Sequence, residues 1–150
     1  MKQPQHGPIL IVEDSDPDYE ATRWALGKFA VSVPHFRCQN GEEVIEYLQN
    51  RGRFASDKGG PVPALVLLDL NLPRMDGREV LRYIRNSSHA CTVPVLILTS
   101  SSNPIEIEAC YRGGANSYFL KPLDLLEYKK LLEHIMQYWL EYAVLPMART

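Results

Sequence analysis

Near the middle of the chain, a run of four aliphatic residues ends in a carboxylate: Leu65-Val66-Leu67-Leu68-Asp69. A short run that is apolar throughout predicts a strand covered on both faces, as in a parallel sheet. Two similar runs and a weaker third occur at residues 9–12, 95–98 and 117–120. Residues 31–37 alternate more between polar and apolar side chains, which suits a strand at the edge of the sheet.

Helix-start signals lie between these runs. A capping residue precedes a glutamate by three positions at four places: Asn40 with Glu43, Asp76 with Glu79, Asn103 with Glu106, and Asp124 with Glu127. A proline directly after Asp16 and after Asn103 favours the first helical position. Five strands alternating with five helices predict an α/β fold, a doubly wound five-stranded parallel sheet with right-handed crossovers. Ligands of such a sheet bind beyond the carboxyl ends of its strands.

Composition limits the classes of function. The 150 residues carry 16 Lys and Arg against 18 Asp and Glu, a formal net charge of -2, and 45% are hydrophobic. These values predict one globular domain and argue against a nucleic-acid-binding protein. Cys38, Cys91 and Cys110 and the four histidines are scattered without metal-ligand spacing, so we expect no zinc site. The chain lacks the apolar stretch of a signal peptide or a membrane span, which predicts a cytoplasmic protein with no membrane partner.

Polar side chains stand at the ends of four predicted strands. They are three carboxylates, a hydroxyl and an ammonium: Glu13, Asp14, Asp69, Thr99 and Lys121. Because parallel strands end at one edge of the sheet, these groups should face a single crevice. Two like charges about 4 Å apart repel by roughly 4 kcal/mol at an effective dielectric near 20, so the acids must protonate, separate or hold a cation. An all-oxygen cluster with room for water suits Mg²⁺.

The same groups could transfer a phosphoryl group to an aspartate. The cation and Lys121 would neutralise the phosphoryl oxygens while Asp69 attacks in line, and a carboxylate nucleophile needs no separate base. Taken singly, each residue has a structural explanation, since an aspartate after a strand often caps a helix and threonine is a common strand residue. The functional interpretation depends on their combination.

Five separated motifs carry a resemblance to a known family, the receiver domain of two-component response regulators, over residues 8–140. The motifs are Glu13-Asp14, the run from Leu68 to Gly77, Thr99, the run from Gly114 to Tyr118, and Lys121-Pro122. The resemblance implies a flavodoxin-like fold and a phosphoacceptor rather than an enzyme, one that promotes its own phosphotransfer and slow dephosphorylation. It also implies a cis peptide bond between Lys121 and Pro122.

The resemblance assigns a role to each motif residue. It implies that Asp69 is the phosphoacceptor, and that Mg²⁺ is bound by Asp14, Asp69 and the backbone carbonyl of Asn71, with Glu13 holding metal-bound water. Thr99 and Lys121 would contact the phosphoryl group. Tyr118 occupies the position of the aromatic residue that turns inward when the threonine hydroxyl moves towards the phosphate.

A narrower resemblance rests on the long loop before the third strand, the sequence around Asp69 and the tail over residues 138–146. These are similar to single-domain response regulators associated with bacterial and cyanobacterial phytochromes. The similarity implies a phytochrome-type sensor histidine kinase as phosphodonor and a homodimer. The tail is rich in apolar residues, and four are candidate dimer contacts: Tyr138, Trp139, Tyr142 and Leu145. The alternative is that the tail folds back on its own domain.

We expect residues 1–150 to form one receiver domain, with a core over about 8–140, a C-terminal extension over about 141–150 and no output domain.

Two other functions compete with the signalling switch. A Mg²⁺-dependent phosphatase of the aspartyl-phosphate type uses similar residues, but such enzymes carry a second acid two residues after the nucleophile. Asn71 stands at that position, and an amide cannot act as a general acid. A receiver-like interaction module that works without phosphorylation is the other alternative, although every acceptor-site residue is present.

Overall fold

The computed structural model describes residues 7–29, 32–56 and 62–146. Strands and helices alternate along these residues as the sequence predicts, in the order β1 (Ile9–Val12), α1 (Asp16–Leu26), β2 (His35–Cys38), α2 (Gly41–Leu48), β3 (Leu65–Leu68), α3 (Gly77–Asn86), β4 (Val95–Thr99), α4 (Pro104–Arg112), β5 (Ser117–Leu120) and α5 (Leu125–Gln137). A short 3-10 turn, Gly52–Phe54, precedes β3, and a π-helical turn, Tyr138–Tyr142, follows α5.

The five strands form one parallel sheet in the order β2-β1-β3-β4-β5. This confirms the predicted doubly wound fold, with β2 at one edge. The edge strand begins later than the sequence pattern indicates, at His35, and it extends to Cys38. Pro34 has no N–H to donate to a ladder, so only its carbonyl takes part, accepting from the Ile9 amide at 3.0 Å. Val31, the first residue of the predicted strand, lies outside the described residues.

Helices cover both faces of the sheet. Side chains at alternate strand positions point to opposite faces, so each strand supplies two separate cores. Ile9 and Ile11 pack with α1 and α5. Leu10 and Val12 pack with α2, α3 and α4. The first connection runs from β1 to β2 on one side of it, and the second runs from β2 back past β1 to β3 on the other side. Because the connections change direction here, a crevice opens at the carboxyl ends of β1 and β3.

The predicted helix caps are present. The side chains of Asn40, Asp76, Asn103 and Asp124 each accept a hydrogen bond from a backbone amide in the first turn of the following helix. At α1 the cap is one residue earlier than the Asp16-Pro17 pair indicates, because Ser15 accepts from the amide of the residue three positions on. This shift places Asp16 within the helix.

The tail after α5 is partly buried and partly exposed. Leu145 is only 4% exposed, and Trp139 is half-buried against the core beneath α1 and α5. Tyr138 and Tyr142 remain exposed, at 58% and 72%. These residues lie in or just after the π-helical turn over Tyr138–Tyr142, whose extended cap residue is Ala143. The burial of Leu145 favours the fold-back alternative for this residue and leaves Tyr138 and Tyr142 as the exposed candidates for a dimer contact. Residues 147–150 lie outside the described part of the chain.

The backbone before Pro122 corrects one part of the sequence prediction. Peptide bonds among the described residues are all trans, so the expected cis bond between Lys121 and Pro122 is wrong. The trans isomer is the more stable form of an X-Pro bond by about 0.5–1 kcal/mol in the absence of constraints.

In the described part of the chain, every helix is too short or too polar to cross a membrane.

Candidate functional site

Backbone hydrogen bonds continue the sheet past the ends of its strands and fix the residues that follow. The Glu13 amide donates to Cys38 of β2 at 2.9 Å, and the Asp69 amide donates to Val12 of β1 at 3.1 Å. The Lys121 amide donates to the carbonyl of Thr99 at 2.8 Å. The main chains of Glu13, Asp69 and Lys121 are therefore held by neighbouring strands.

Lys121 is the centre of the site. Its ammonium donates to Glu13 Oε1 at 2.6 Å, to Asp69 Oδ2 at 2.8 Å and to Asp18 Oδ2 at 2.8 Å. Burial opposes the charged form, but hydrogen bonds to Asp18, Asp69 and Glu13 raise the pKa of Lys121 above its ordinary value. The ammonium is thus fixed in its charged form at the carboxyl edge of the sheet.

Three carboxylates converge on one point beside this ammonium. One oxygen from each of Glu13, Asp14 and Asp69 lies within 4.8 Å of the others. Glu13 and Asp69 are buried, whereas Asp14 is exposed. Burial raises the pKa of Glu13 to about 7, although Lys121 and the backbone amide of Ser15 favour its ionised form. Crowded carboxylates with only oxygen donors and one open side fit a hard divalent cation.

Thr99 and Asn71 line the same crevice. Thr99 is fully buried at the end of β4, and its Oγ1 lies 3.4 Å from Nδ2 of Asn71, which donates to it. The backbone amide of Asn71 donates to Asp69 Oδ1 at 3.0 Å. One oxygen of the Asp69 carboxylate therefore contacts a backbone amide and the other contacts Lys121, so the plane of the carboxylate is fixed.

Tyr118 connects this region to the surface. It is half-buried against the core beneath α2, α3 and α4, and its hydroxyl donates to the carbonyl of Ser101 at 2.7 Å. Burial raises the pKa of Tyr118. The hydroxyl of Ser101 in turn donates to Glu106 in the first turn of α4. A chain of contacts thus runs from β5 through the loop that follows Thr99 to α4.

The structure brings two residues to the site that the sequence analysis did not single out. Asp18 lies in the first turn of α1, four residues after Asp14, and reaches Lys121 from that helix. Arg37 of β2 donates from Nε to the carbonyl of Glu13 at 3.0 Å and pairs through Nη1 with Asp16 at 2.8 Å. The sequence offered one signal for each residue. Arg37 is a basic residue inside a predicted strand, and Asp18 follows Asp14 by four positions, which is about one helical turn.

The fold and this edge of the sheet define the class of protein. The chain belongs to the response regulator receiver domain family, whose model matches residues 9–134. Proteins of this class act as phosphoryl acceptors in signalling, and they bind a divalent metal.

Particular relatives share nearly the whole chain. It is 35% identical over 140 residues to the response regulator Rcp1 of Synechocystis sp., covering 93% of each protein. The crystal structure of the phosphorylated cyanobacterial phytochrome response regulator RcpA matches with a TM-score of 0.87 at 34% identity, covering 95% of this chain and 99% of that one. The Mn²⁺-bound form of Rcp1 matches with a TM-score of 0.86 at 34% identity, covering 93% and 99%.

Proposed function

We propose that this chain is a phosphorylation-dependent signalling switch in which Asp69 accepts a phosphoryl group from a histidine of a sensor kinase. The observation that carries the proposal is the buried carboxylate of Asp69 between Lys121 and the acid pair Glu13 and Asp14. In the transfer, an oxygen of Asp69 forms a bond to phosphorus while the bond from phosphorus to the imidazole nitrogen breaks. The electron pair of the broken bond stays on that nitrogen.

Mg²⁺ is the cation that we propose for the acid cluster. Asp14, Asp69 and the backbone carbonyl of Asn71 would hold it, and Glu13 would accept a hydrogen bond from its bound water. The ion supplies positive charge that neutralises the phosphoryl oxygens. Mg²⁺ is suited to a site that provides few protein oxygens, and the exposure of Asp14 leaves room for the waters that this ion retains.

Thr99 and Tyr118 are the switch residues in this proposal. A phosphoryl oxygen on Asp69 would attract the hydroxyl of Thr99 away from Asn71, which now donates to it. The loop after Thr99 includes Ser101, to which Tyr118 is hydrogen-bonded. Movement of Thr99 would therefore reach Tyr118 and α4 through a contact that already exists.

Phospho-Asp69 is expected to decay slowly. We expect Asn71 and Ser101 to flank an attacking water, and neither an amide nor a hydroxyl is a strong general acid or base. The hydroxyl of Ser101 is also engaged with Glu106. These features favour a transient phosphoacceptor over an enzyme that turns over external phosphoesters.

A phytochrome-type histidine kinase in the cytoplasm is the proposed phosphodonor. Support comes from the similarity to phytochrome response regulators along nearly the whole chain. A purified phytochrome-type kinase carrying labelled phosphohistidine should transfer the label to this chain much faster than an unrelated sensor kinase does. Equal rates from both kinases would contradict the assignment.

We also propose that the chain forms a homodimer. Its contact surface includes fewer tail residues than the four candidates named from the sequence, because Leu145 is buried. Tyr138 and Tyr142 are exposed at the end of α5, and Val144 beside them is exposed as well. Aromatic side chains concentrate binding energy at protein interfaces, whereas an exposed cluster of them is unfavourable in water. We therefore retain Tyr138 and Tyr142 as dimer contacts and add Val144, while Leu145 is buried and Trp139 packs against the core of its own domain.

The test of the central proposal is the intact mass after incubation with Mg²⁺ and acetyl phosphate. The wild-type chain should gain one phosphoryl group, and Asp69→Asn should gain none. Asp76→Asn is the matched control, because Asp76 caps α3 after the same strand and asparagine is an equally good cap. Undiminished labelling of Asp69→Asn would refute the assignment of the acceptor.

A further inference from the structure

Every donor of the Lys121 ammonium is already used. An ammonium has three N–H groups, and Lys121 directs them at Glu13, Asp18 and Asp69, all within 2.8 Å. In the function proposed above, on which this inference rests, Lys121 also contacts the phosphoryl group on Asp69. Lys121 can add that contact only by releasing one of its present partners or by sharing a donor between two acceptors.

The three partners differ in how easily they can be released. The side chains of Glu13 and Asp69 are 6% and 8% exposed, whereas the side chain of Asp18 is 30% exposed. A carboxylate that loses its partner inside the protein keeps the full desolvation penalty. Water can replace Lys121 at Asp18 but has little access to Glu13. Phosphorylation removes the carboxylate charge of Asp69, so the comparison lies between the two acids that keep their charge, and Asp18 is released at a lower free-energy cost than Glu13.

Charge gives a second reason for the same conclusion. Four carboxylates surround the single ammonium, since Asp14 adds to the three that Lys121 contacts. A phosphoryl group brings further negative charge to this site. Asp18 is the one of these acids that is outside the metal-ligating cluster, so it opposes the incoming charge without helping to hold the cation.

We propose that Asp18 competes with the phosphoryl group for Lys121 and thereby lowers the tendency of the site to become phosphorylated. Asp18 undergoes no covalent change in this scheme. It acts through Lys121, holding the ammonium in the unphosphorylated protein and giving it up when a phosphoryl oxygen arrives. Asp18 is thus a positioning residue that sets the balance between the two states.

Beryllofluoride with Mg²⁺ is a suitable probe, because it mimics a phosphoryl group and its binding is an equilibrium. The bound fraction can be followed by ¹⁹F NMR at saturating Mg²⁺, after the Mg²⁺ affinity of each variant has been measured. Asp18→Asn should bind beryllofluoride about three- to fivefold more tightly than wild type, the upper part of the range expected for a partly exposed ion pair.

Asp16→Asn is the matched control. Asp16 lies in the same helical turn and its loss removes the same charge, but it pairs with Arg37 and not with Lys121. Its beryllofluoride affinity should stay within about twofold of wild type. An equal gain in Asp16→Asn would mean that general charge, and not competition for Lys121, is responsible, and would overturn the proposal.

A double-mutant cycle tests the route through Lys121. In a Lys121→Met background, Asp18→Asn should no longer increase the affinity, because the shared partner is gone. If Asp18→Asn with an intact Lys121 binds beryllofluoride no more tightly than wild type does, the inference about Asp18 is overturned while the proposed function stands. Failure of the wild-type chain to bind beryllofluoride would instead overturn the proposed function and this inference with it.

Discussion

Lys121 is a buried ammonium with three carboxylate neighbours, and this arrangement ties the stability of the domain to the chemistry of the site. The lysine is 8% exposed, and its neighbours Glu13 and Asp69 are buried with it. Buried charges are stable only when they are paired. Removal of the ammonium would leave carboxylates that repel one another with little water to screen them. The residue that is proposed to bind a phosphoryl group therefore also holds the acidic edge of the sheet together.

We predict that Lys121→Ala lowers the free energy of unfolding by about 3 kcal/mol in metal-free buffer, because it strands buried carboxylates. Typical domains have about 5–15 kcal/mol to lose, so the variant should still fold. Urea denaturation measures the loss, and Mg²⁺ should restore part of it by supplying the missing positive charge. The control is Lys130→Ala, whose surface pair with Glu127 should contribute less than about 1 kcal/mol. Equal effects of the two substitutions would contradict this account.

At the scale of the elements, one arginine connects α3 to the entries of the last two strands. Arg85 donates from Nε and Nη2 to the carbonyl of Gly114 at 3.0 and 2.7 Å, and from Nη1 to Val93 at 2.7 Å. Nη2 also donates to Asn116 Oδ1 at 2.8 Å. Burial disfavours the charged guanidinium and so lowers the pKa of Arg85. The guanidinium is nevertheless hydrogen-bonded to carbonyl groups in two loops. Gly114 has a φ of +102°, a conformation that favours glycine, so this loop depends on both residues.

Arg85→Met should destabilise the domain by about 2 kcal/mol, since it leaves several half-buried carbonyl groups without donors. Thermal unfolding followed by circular dichroism gives the change. Arg82→Met, an exposed position on the same helix, should change the stability by less than about 0.5 kcal/mol. Similar melting temperatures for the two variants would show that the carbonyls find other partners.

For the whole molecule, residues 138–145 contribute to two different surfaces, one buried and one exposed. Trp139 packs against the core beneath α1 and α5 and Leu145 is buried, whereas Tyr138 and Tyr142 are exposed. The interior residues contribute to the stability of the monomer. The exterior residues are available to a second copy of the chain. Substitutions a few residues apart should therefore have separable effects.

Tyr142→Asp should weaken the proposed dimer without changing the melting temperature of the monomer, because a charge at an apolar contact has to be desolvated. Leu145→Ala should have the opposite pattern, a loss of about 2–5 kcal/mol of stability from a buried leucine. Sedimentation velocity over a range of concentrations, combined with thermal unfolding, separates the two effects. A wild-type chain that remains monomeric at tens of micromolar would contradict the dimer proposal.

Local chemistry in the sequence determined the strands, the helix starts and the strand-end motif. Apolar runs such as residues 65–68 can be stable only where both faces are covered, and caps such as Asn40 and Asp124 act on the adjacent turn. The order of strands and helices then required that Glu13, Asp69 and Lys121 meet at one edge. Local periodicity and connection rules are enough for these conclusions.

Only the tertiary structure decided which groups make contact at that edge and which parts of the tail are buried. Asp18 and Lys121 are separated by 103 residues, and no local pattern specifies a contact between them. Leu145 is buried after a π-helical turn, and a regular helical periodicity in the sequence gives no sign of that turn. The trans Lys121–Pro122 bond likewise could not be read from the motif. Long-range packing selects among conformations of similar local energy, and that selection is absent from any short stretch of sequence.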